Sequence, residues 1–159
     1  VSTSAIRAAI VATLETVPGV GRVHAYQRYA HSLQALGQLY RAPDGQLRGW
    51  NVSRVATSEV GNIQARTVEV IRWRLFGVMA LDDSAASELA FDDLVEGVRD
   101  AFAANETLGG TVDQCTDPQG DGESCVQVDD ISPGKFADVL CHLARLSLLT
   151  VRYLDRSIP

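Results

Sequence analysis

Long apolar stretches, cysteines and lysines are all scarce in this chain of 159 residues, and each scarcity closes off a class of protein. The longest uninterrupted apolar run, Leu75 to Leu81, is seven residues counting Gly77, whereas a membrane-spanning helix takes about 20. On this reading the chain does not cross a membrane. Three cysteines are too few for a disulfide-stapled miniprotein of this length. There is no glycine period of collagen, no sustained heptad, and no repeat at a period of roughly 20 to 50 residues. Lys135 stands alone beside thirteen arginines. Arginine suits bidentate, partly desolvated contacts with carboxylates, and a compositional bias of the genome produces the same skew, so both explanations stay open. Val1 to Val17 reads as a capped amphipathic segment rather than a secretory signal, which predicts synthesis in the cytoplasm. What is present is the composition of one ordinary domain, 46% hydrophobic and 21% charged, long enough to bury a single core.

The net charge of −6 is unevenly spread. Residues 1–81 carry nine arginines against Glu15, Asp44, Glu59 and Glu69, a local +5; residues 82–130 carry fourteen acids against Arg99, a local −13; the remainder adds +2. An acidic middle between two basic ends favours self-association through unlike surfaces, or simply gives two differently solvated faces.

Periodicity then divides the chain. Ser2, Thr3 or Ser4 caps a helix whose apolar positions Ile6, Ala9, Ile10, Thr13, Leu14 and Val17 follow helical spacing, and Pro18-Gly19 ends it. Val20 to Tyr26 reads as a short strand. Arg28 to Leu39 reads as a helix or an ordered loop, and Ala42-Pro43-Asp44-Gly45 is a turn. Trp50 to Thr57 is a strand. Ala65 to Met79 is the strongest strand, yet its alternation changes phase: Val68 and Val70 share one face, and Ile71, Trp73 and Leu75 take the other. Either a bulge near Val70 or a strand longer than its sheet, serving two layers, explains this. In both cases Arg72 and Arg74 share a face opposite Trp73, where they can grip carboxylates or lie solvated.

Asp82-Asp83-Ser84 offers caps to a helix with the buried stripe Phe91, Leu94, Val95, Val98 and Phe102. Its outer face carries Glu88, Asp92, Glu96 and Asp100 at successive i+4 steps. That uniform face lacks the opposed environments an acid–base pair requires, so a solvated or arginine-facing surface is expected. Gly109-Gly110 closes the region, and Asp113 to Asp130 reads as a polar hairpin tip or surface insertion spanning 111–131. Phe136 to Tyr153 reads as a central, doubly covered strand, with a helix as the alternative.

Catalytic signatures are missing. Gly134-Lys135 is followed by Phe136 and lacks the upstream glycine of a phosphate loop; Gly19-Val20-Gly21 precedes a strand instead of following one; no nucleophile elbow exists. His24, His31 and His142 have no metal-ligand spacing. Asp117, Asp121 and Gly122 match the start of a calcium loop, but Gln119 stands third and Val128 twelfth. No catalytic residue, cofactor or metal ligand is assigned. The spacing of Cys115 and Cys125 allows a disulfide, against which cytoplasmic synthesis argues, while Cys141 reads as core. The negative charge and the lack of a recognised motif leave nucleic-acid binding little support, beyond an arginine surface facing passing DNA.

Taken in order, Pro18-Gly19-Val20-Gly21-Arg22-Val23 after the first helix, Gly49-Trp50-Asn51-Val52, Phe76-Gly77-Val78-Met79-Ala80-Leu81-Asp82-Asp83 leading into Ser87-Glu88-Leu89-Ala90-Phe91, and the closing Cys141-His142-Leu143-Ala144-Arg145-Leu146-Ser147-Leu148 resemble the tail terminator (tail completion) proteins of tailed bacteriophages. The resemblance covers most of the chain. It implies a single α/β (α+β) domain over residues 1–159, with a small, mixed, mostly antiparallel sheet flanked by helices. It further implies a structural, non-enzymatic virion protein: a homo-oligomeric ring, expected to be a hexamer, that caps the tail tube and joins it to the head connector or neck. The partners implied are a second copy, the tube protein and a neck protein, with DNA only as the genome passing through the lumen. The location implied is the tail-to-head junction of the virion, with host cytoplasm during assembly. Ring assembly and segregated charge together predict that Glu88, Asp92 and Glu96 of one subunit meet Arg66, Arg72 and Arg74 of the next. The alternatives are another neck component, a small host-directed binding protein, and a small enzyme or ligand-binding domain assembled only by folding.

Overall fold

The stripe Ile6, Ile10, Thr13 and Leu14 forms the buried side of α1 (Thr3–Glu15) in the computed structural model, which describes residues 2–61, 66–116 and 125–155. Of the three hydroxyl residues able to cap it, Ser2 does so, its side chain accepting from Ala5 N–H at 3.2 Å. The chain then turns through Gly21, whose φ of +82° and position against the Arg48 carbonyl leave no room for a Cβ. The following strand β1 (Arg22–His24) is shorter than the expected Val20–Tyr26, because it pairs only with Gly49–Asn51. The ambiguous segment resolves as a helix, α2 (Leu33–Leu39), capped by Ser32. The expected turn is present: Gly45 N–H donates to Ala42 O at 2.9 Å, and Asp44 Oδ1 accepts from Gln46 N–H at 3.0 Å. That second bond holds the Asp44 carboxyl below its ordinary range.

The long strands β2 (Arg48–Gly61) and β3 (Arg66–Ala80) form an antiparallel pair. β2 extends past the expected Trp50–Thr57 at both ends. The bulge expected near Val70 is not there: β3 pairs without interruption with β5 (Val139–Asp155) from Arg66 to Ala80. The irregularity sits on β2, between Arg54 and Ala56. Nor is β3 longer than its sheet, since β2 and β5 pair with it along its length; of that second explanation, only the contact with two layers holds. The alternation of β3 is regular, and different heights of its two faces meet different layers.

Asp82-Asp83-Ser84 does not cap the next helix directly; residues Asp83–Ala85 form a short 3₁₀ turn, and Ala86 (φ 53°) enters α3 (Ser87–Ala103) with no side-chain cap. The stripe Phe91, Leu94, Val95, Val98 and Phe102 is buried as expected. The final hairpin joins β4 (Val126–Phe136) to β5 through Ala137 and Asp138, both at positive φ, as a tight two-residue turn requires. The polar loop expected over Asp113–Asp130 therefore ends early, at Val126; Val112 and Cys115 are buried, and Gln114 bridges to Val151. β4 tolerates Pro133 and Gly134 because it is an edge strand. Ala65 and the calcium-loop positions Asp117, Gln119, Asp121 and Gly122 lie outside the described residues.

The fold is α+β: the described residues form one five-stranded mixed sheet, order β1-β2-β3-β5-β4, parallel only at β1–β2, with three α-helices. The expected last strand is central, between β3 and β4. On one face α1 and α3 cover Trp50, Val52, Ile71, Trp73, Leu75, Leu146 and Leu148 in the main core. Gly77 makes this possible, since a Cβ there would lie 2.6 Å from the Trp50 indole that crosses it. On the other face α2 covers only one end, where Tyr40, Leu47, Val78 and Cys141 are buried with Phe76 and Phe136 packed against them. Among the described residues no helix is long and apolar enough to cross a membrane.

Candidate functional site

Strict alternation along β3 sends Ile71, Trp73 and Leu75 toward α1 and α3, and therefore Arg72 and Arg74 to the opposite face. That face lies beyond the reach of α2, and both arginines are exposed there, with no ion-pair partner among the described residues. Cross-strand register adds side chains that spacing alone does not reveal. Arg145 of β5 sits opposite Phe76, its guanidinium 5.4 Å over that ring and 3.4 Å from Asp130. Arg54 of β2 borders the bulge at Val55. The expected third arginine, Arg66, shares the face but lies six residues from Arg72, about 20 Å along the strand, where it faces Asp155 at 4.0 Å. The structure thus groups Arg74 with Arg145 and Arg54, keeps Arg72 on the same face one alternation away, and leaves Arg66 apart. Beyond the arginines, Val60, Val68 and Tyr153 form a cross-strand apolar row, with Val60 and Tyr153 exposed.

The acids take the other side of the molecule. Burial of the Phe91–Phe102 stripe against the sheet turns Glu88, Asp92, Glu96 and Asp100 outward. Glu96 is partly neutralised by Arg99 at 3.0 Å. Next to them, a groove of about 530 Å³ between α3 and β4 is lined by Asp92, Glu96, Arg99 and the part-exposed Val128 and Ile131. Leu89, also on α3, is 66% exposed. A sheet and a helix layer separate this surface from the arginines, so the expected Glu88/Asp92/Glu96 to Arg72/Arg74 contact cannot form within one chain.

One juxtaposition has the form of a nucleophile and a base. Ser87 Oγ lies 2.8 Å from His142 Nε2 and accepts from Asp82 N–H at 2.8 Å. Its surroundings fit a packing role: both residues are buried, the imidazole stacks on Phe91 at 5.7 Å, and no carboxylate orients its other nitrogen among the described residues. The pair satisfies buried polar groups at a helix start that has no side-chain cap. Among the described residues no three His, Cys, Asp or Glu side chains converge as a metal site would require.

The spacing of Cys115 and Cys125 allowed either a disulfide or free thiols. Cys115 and Cys125 are neighbours, Cys125 N–H donating to Cys115 O at 2.9 Å, yet no disulfide joins them. Each thiol turns instead toward the end of α3 and the turn after it: Cys115 Sγ donates to Glu106 O at 3.1 Å and Cys125 Sγ to Phe102 O at 3.8 Å. Burial, then the nearby Cys125 and Glu106, pushes the Cys115 thiol up to about 12; burial pushes Cys141 up to about 11. Both are protonated, unreactive thiols at neutral pH.

Compared with known proteins, the chain matches no protein-family model and no curated sequence.

Proposed function

We propose that this chain is a structural ring subunit, in which the acidic outer face of α3 docks on the arginine face of the next copy, and that the ring acts as a phage tail terminator. In that role it would cap the tail tube and join it to the neck, with a tube protein and a neck protein as further partners and the tail-to-head junction of the virion as its place. It needs no catalytic residue. One observation carries the reading: charges of opposite sign occupy opposite outer surfaces of a two-layer subunit, where they cannot neutralise each other internally. Contacts between two different patches of identical subunits are heterologous, and they close into a ring when the rotation between neighbours permits. The motif resemblance to tail terminators supplies the biological setting.

Magnitudes divide the work of the interface. An exposed ion pair contributes about 0.2–1 kcal/mol, so the charges set register and orientation more than affinity. Affinity would come from apolar area at about 25 cal/mol per Å². Leu89, Val128 and Ile131 on the acidic side and Val60, Val68 and Tyr153 on the basic side are placed to supply it.

Light scattering across a concentration series at low and moderate salt tests this reading. The expected result is a closed oligomer near six times 17.1 kDa that is weakened as salt screens its exposed pairs. A mass of 17.1 kDa at every concentration and salt would contradict it.

A further inference from the structure

The open face of the sheet also holds a concave site, which shares Arg74 with the proposed docking face. A cleft of about 530 Å³ is lined by Arg54, Arg74 and Arg145, from three different strands, with Phe76, Phe136 and Asn51 among its walls. Among the described residues no carboxylate lines it, and Asp130 pairs with Arg145 at 3.4 Å from outside the lining. Arg54 and Arg74 have no ion-pair partner among the described residues. By register Arg54 stands opposite Trp73, on the helix-facing side of the alternation, yet it lines this cleft. The bulge at Val55, and a strand edge left open where β1 stops at residue 24, account for its redirection.

The walls are held in place. Phe136 packs edge-on against Tyr40 with centroids 4.9 Å apart and lies 6.1 Å from Phe76, while Phe76 carries the Arg145 guanidinium. Asn51 is fixed by donating to the Tyr40 hydroxyl at 2.9 Å. Arg54 and Arg74 repel each other there unless an anion is present, Arg145 is only partly compensated by the half-exposed Asp130, and a concave wall concentrates their field. Guanidinium forks bind phosphate in a bidentate manner. A dianionic phosphate group offers three terminal oxygens for three forks, whereas a carboxylate offers two. The volume is that of a small-molecule site rather than a seat for a helix.

We propose that this cleft binds a phosphate-bearing small molecule, its phosphate on Arg54, Arg74 and Arg145 and its organic body against the Phe76–Phe136 wall. The site stands whether or not the subunits form a ring. Calorimetric titration of the full chain with phenyl phosphate, inorganic phosphate and benzoate tests it, with amide NMR shifts as a second readout. Saturable binding is expected, tightest for phenyl phosphate and weakest for benzoate, with the largest shifts at Phe76, Phe136 and Arg145. Arg54→Gln and Arg145→Gln, both at exposed positions and checked for an unchanged urea midpoint, are each expected to weaken phenyl phosphate binding about tenfold. Glu15→Gln, at the exposed end of α1 on the opposite side of the sheet, is expected to leave it unchanged. Absence of saturable binding at millimolar ligand, or equal affinity in the arginine variants, would overturn the proposal.

Discussion

Trp73 and Arg74 are adjacent in sequence and differ in almost every physical respect. Trp73 is fully buried beneath α1 and α3, its indole N–H donating to Thr150 Oγ1 at 2.9 Å and the Arg7 guanidinium 5.3 Å from its ring. Arg74 stands on the uncovered half of the other face, beside Ser53 and Ser147. The same strand therefore serves stability on one side and recognition on the other, and the boundary is set by how far α2 reaches. The two faces should respond to mutation in opposite ways: the helix-covered face through folding free energy, the arginine face through binding with folding unchanged.

The largest expected effect is Trp73→Ala, which removes a fully buried ring and leaves Thr150 Oγ1 without its donor; a loss of about 4 kcal/mol in urea denaturation is expected. Arg74→Ala, one residue away, is expected to stay within about 0.5 kcal/mol. Comparable losses for the two would erase the distinction between the faces. Next is the ion pair between Arg152 and Glu69 on the helix-facing side, 2.6 Å apart and close to fully buried. Glu69→Ala leaves the guanidinium in a poorly solvated place and should cost about 3 kcal/mol. The exposed Arg66–Asp155 pair at 4.0 Å, truncated in the same way, should cost under about 1 kcal/mol.

Glycines sharpen the contrast further. Gly77→Ala forces a methyl into the Trp50 indole and should cost about 2 kcal/mol. Gly61→Ala, at the far end of β2 with nothing within 4 Å of a Cβ, should be neutral to slightly stabilising. One effect shows only at alkaline pH. The Cys115 thiol is raised from 9.0 to about 12 in the folded chain, so its contribution is complete below pH 9 and is lost as pH rises from there toward 12. The slope in that window is on the order of 1.4 kcal/mol per pH unit. Cys115→Ala should flatten the alkaline arm of the stability profile measured under reducing conditions.

How much of this was legible in the sequence depended on whether the signal was local. The stripes of α1 and α3 could be read directly, because a 3.6-residue period reports which side of a helix is covered. The pairing of Arg72 with Arg74, opposite Trp73, followed from alternation alone. The apparent phase change of β3 was visible but had two physical causes, and only the positions of α1, α3 and α2 separate them. β4 was hidden because Asp129-Asp130 and Pro133-Gly134 are turn residues by composition, and an edge strand accepts them where a central strand does not. Arg54 and Arg145 carried no local signal, since the β2 irregularity brought the first to Arg74 across 20 positions of sequence and strand register the second across 71. The Ser87–His142 contact, 55 residues apart, was out of reach for the same reason.

The most direct test of ring assembly through unlike faces is a charge swap followed by light scattering. Arg72→Glu with Arg74→Glu in one preparation, and Glu88→Arg with Asp92→Arg in another, should each give folded monomers of 17.1 kDa, because every contact would then join like charges. Mixed in equal amounts, each altered face finds a complementary partner, and the account predicts recovery of an oligomer near six times that mass, built from alternating subunits. Monomers that persist after mixing, or single preparations that assemble as the unaltered chain does, would contradict it.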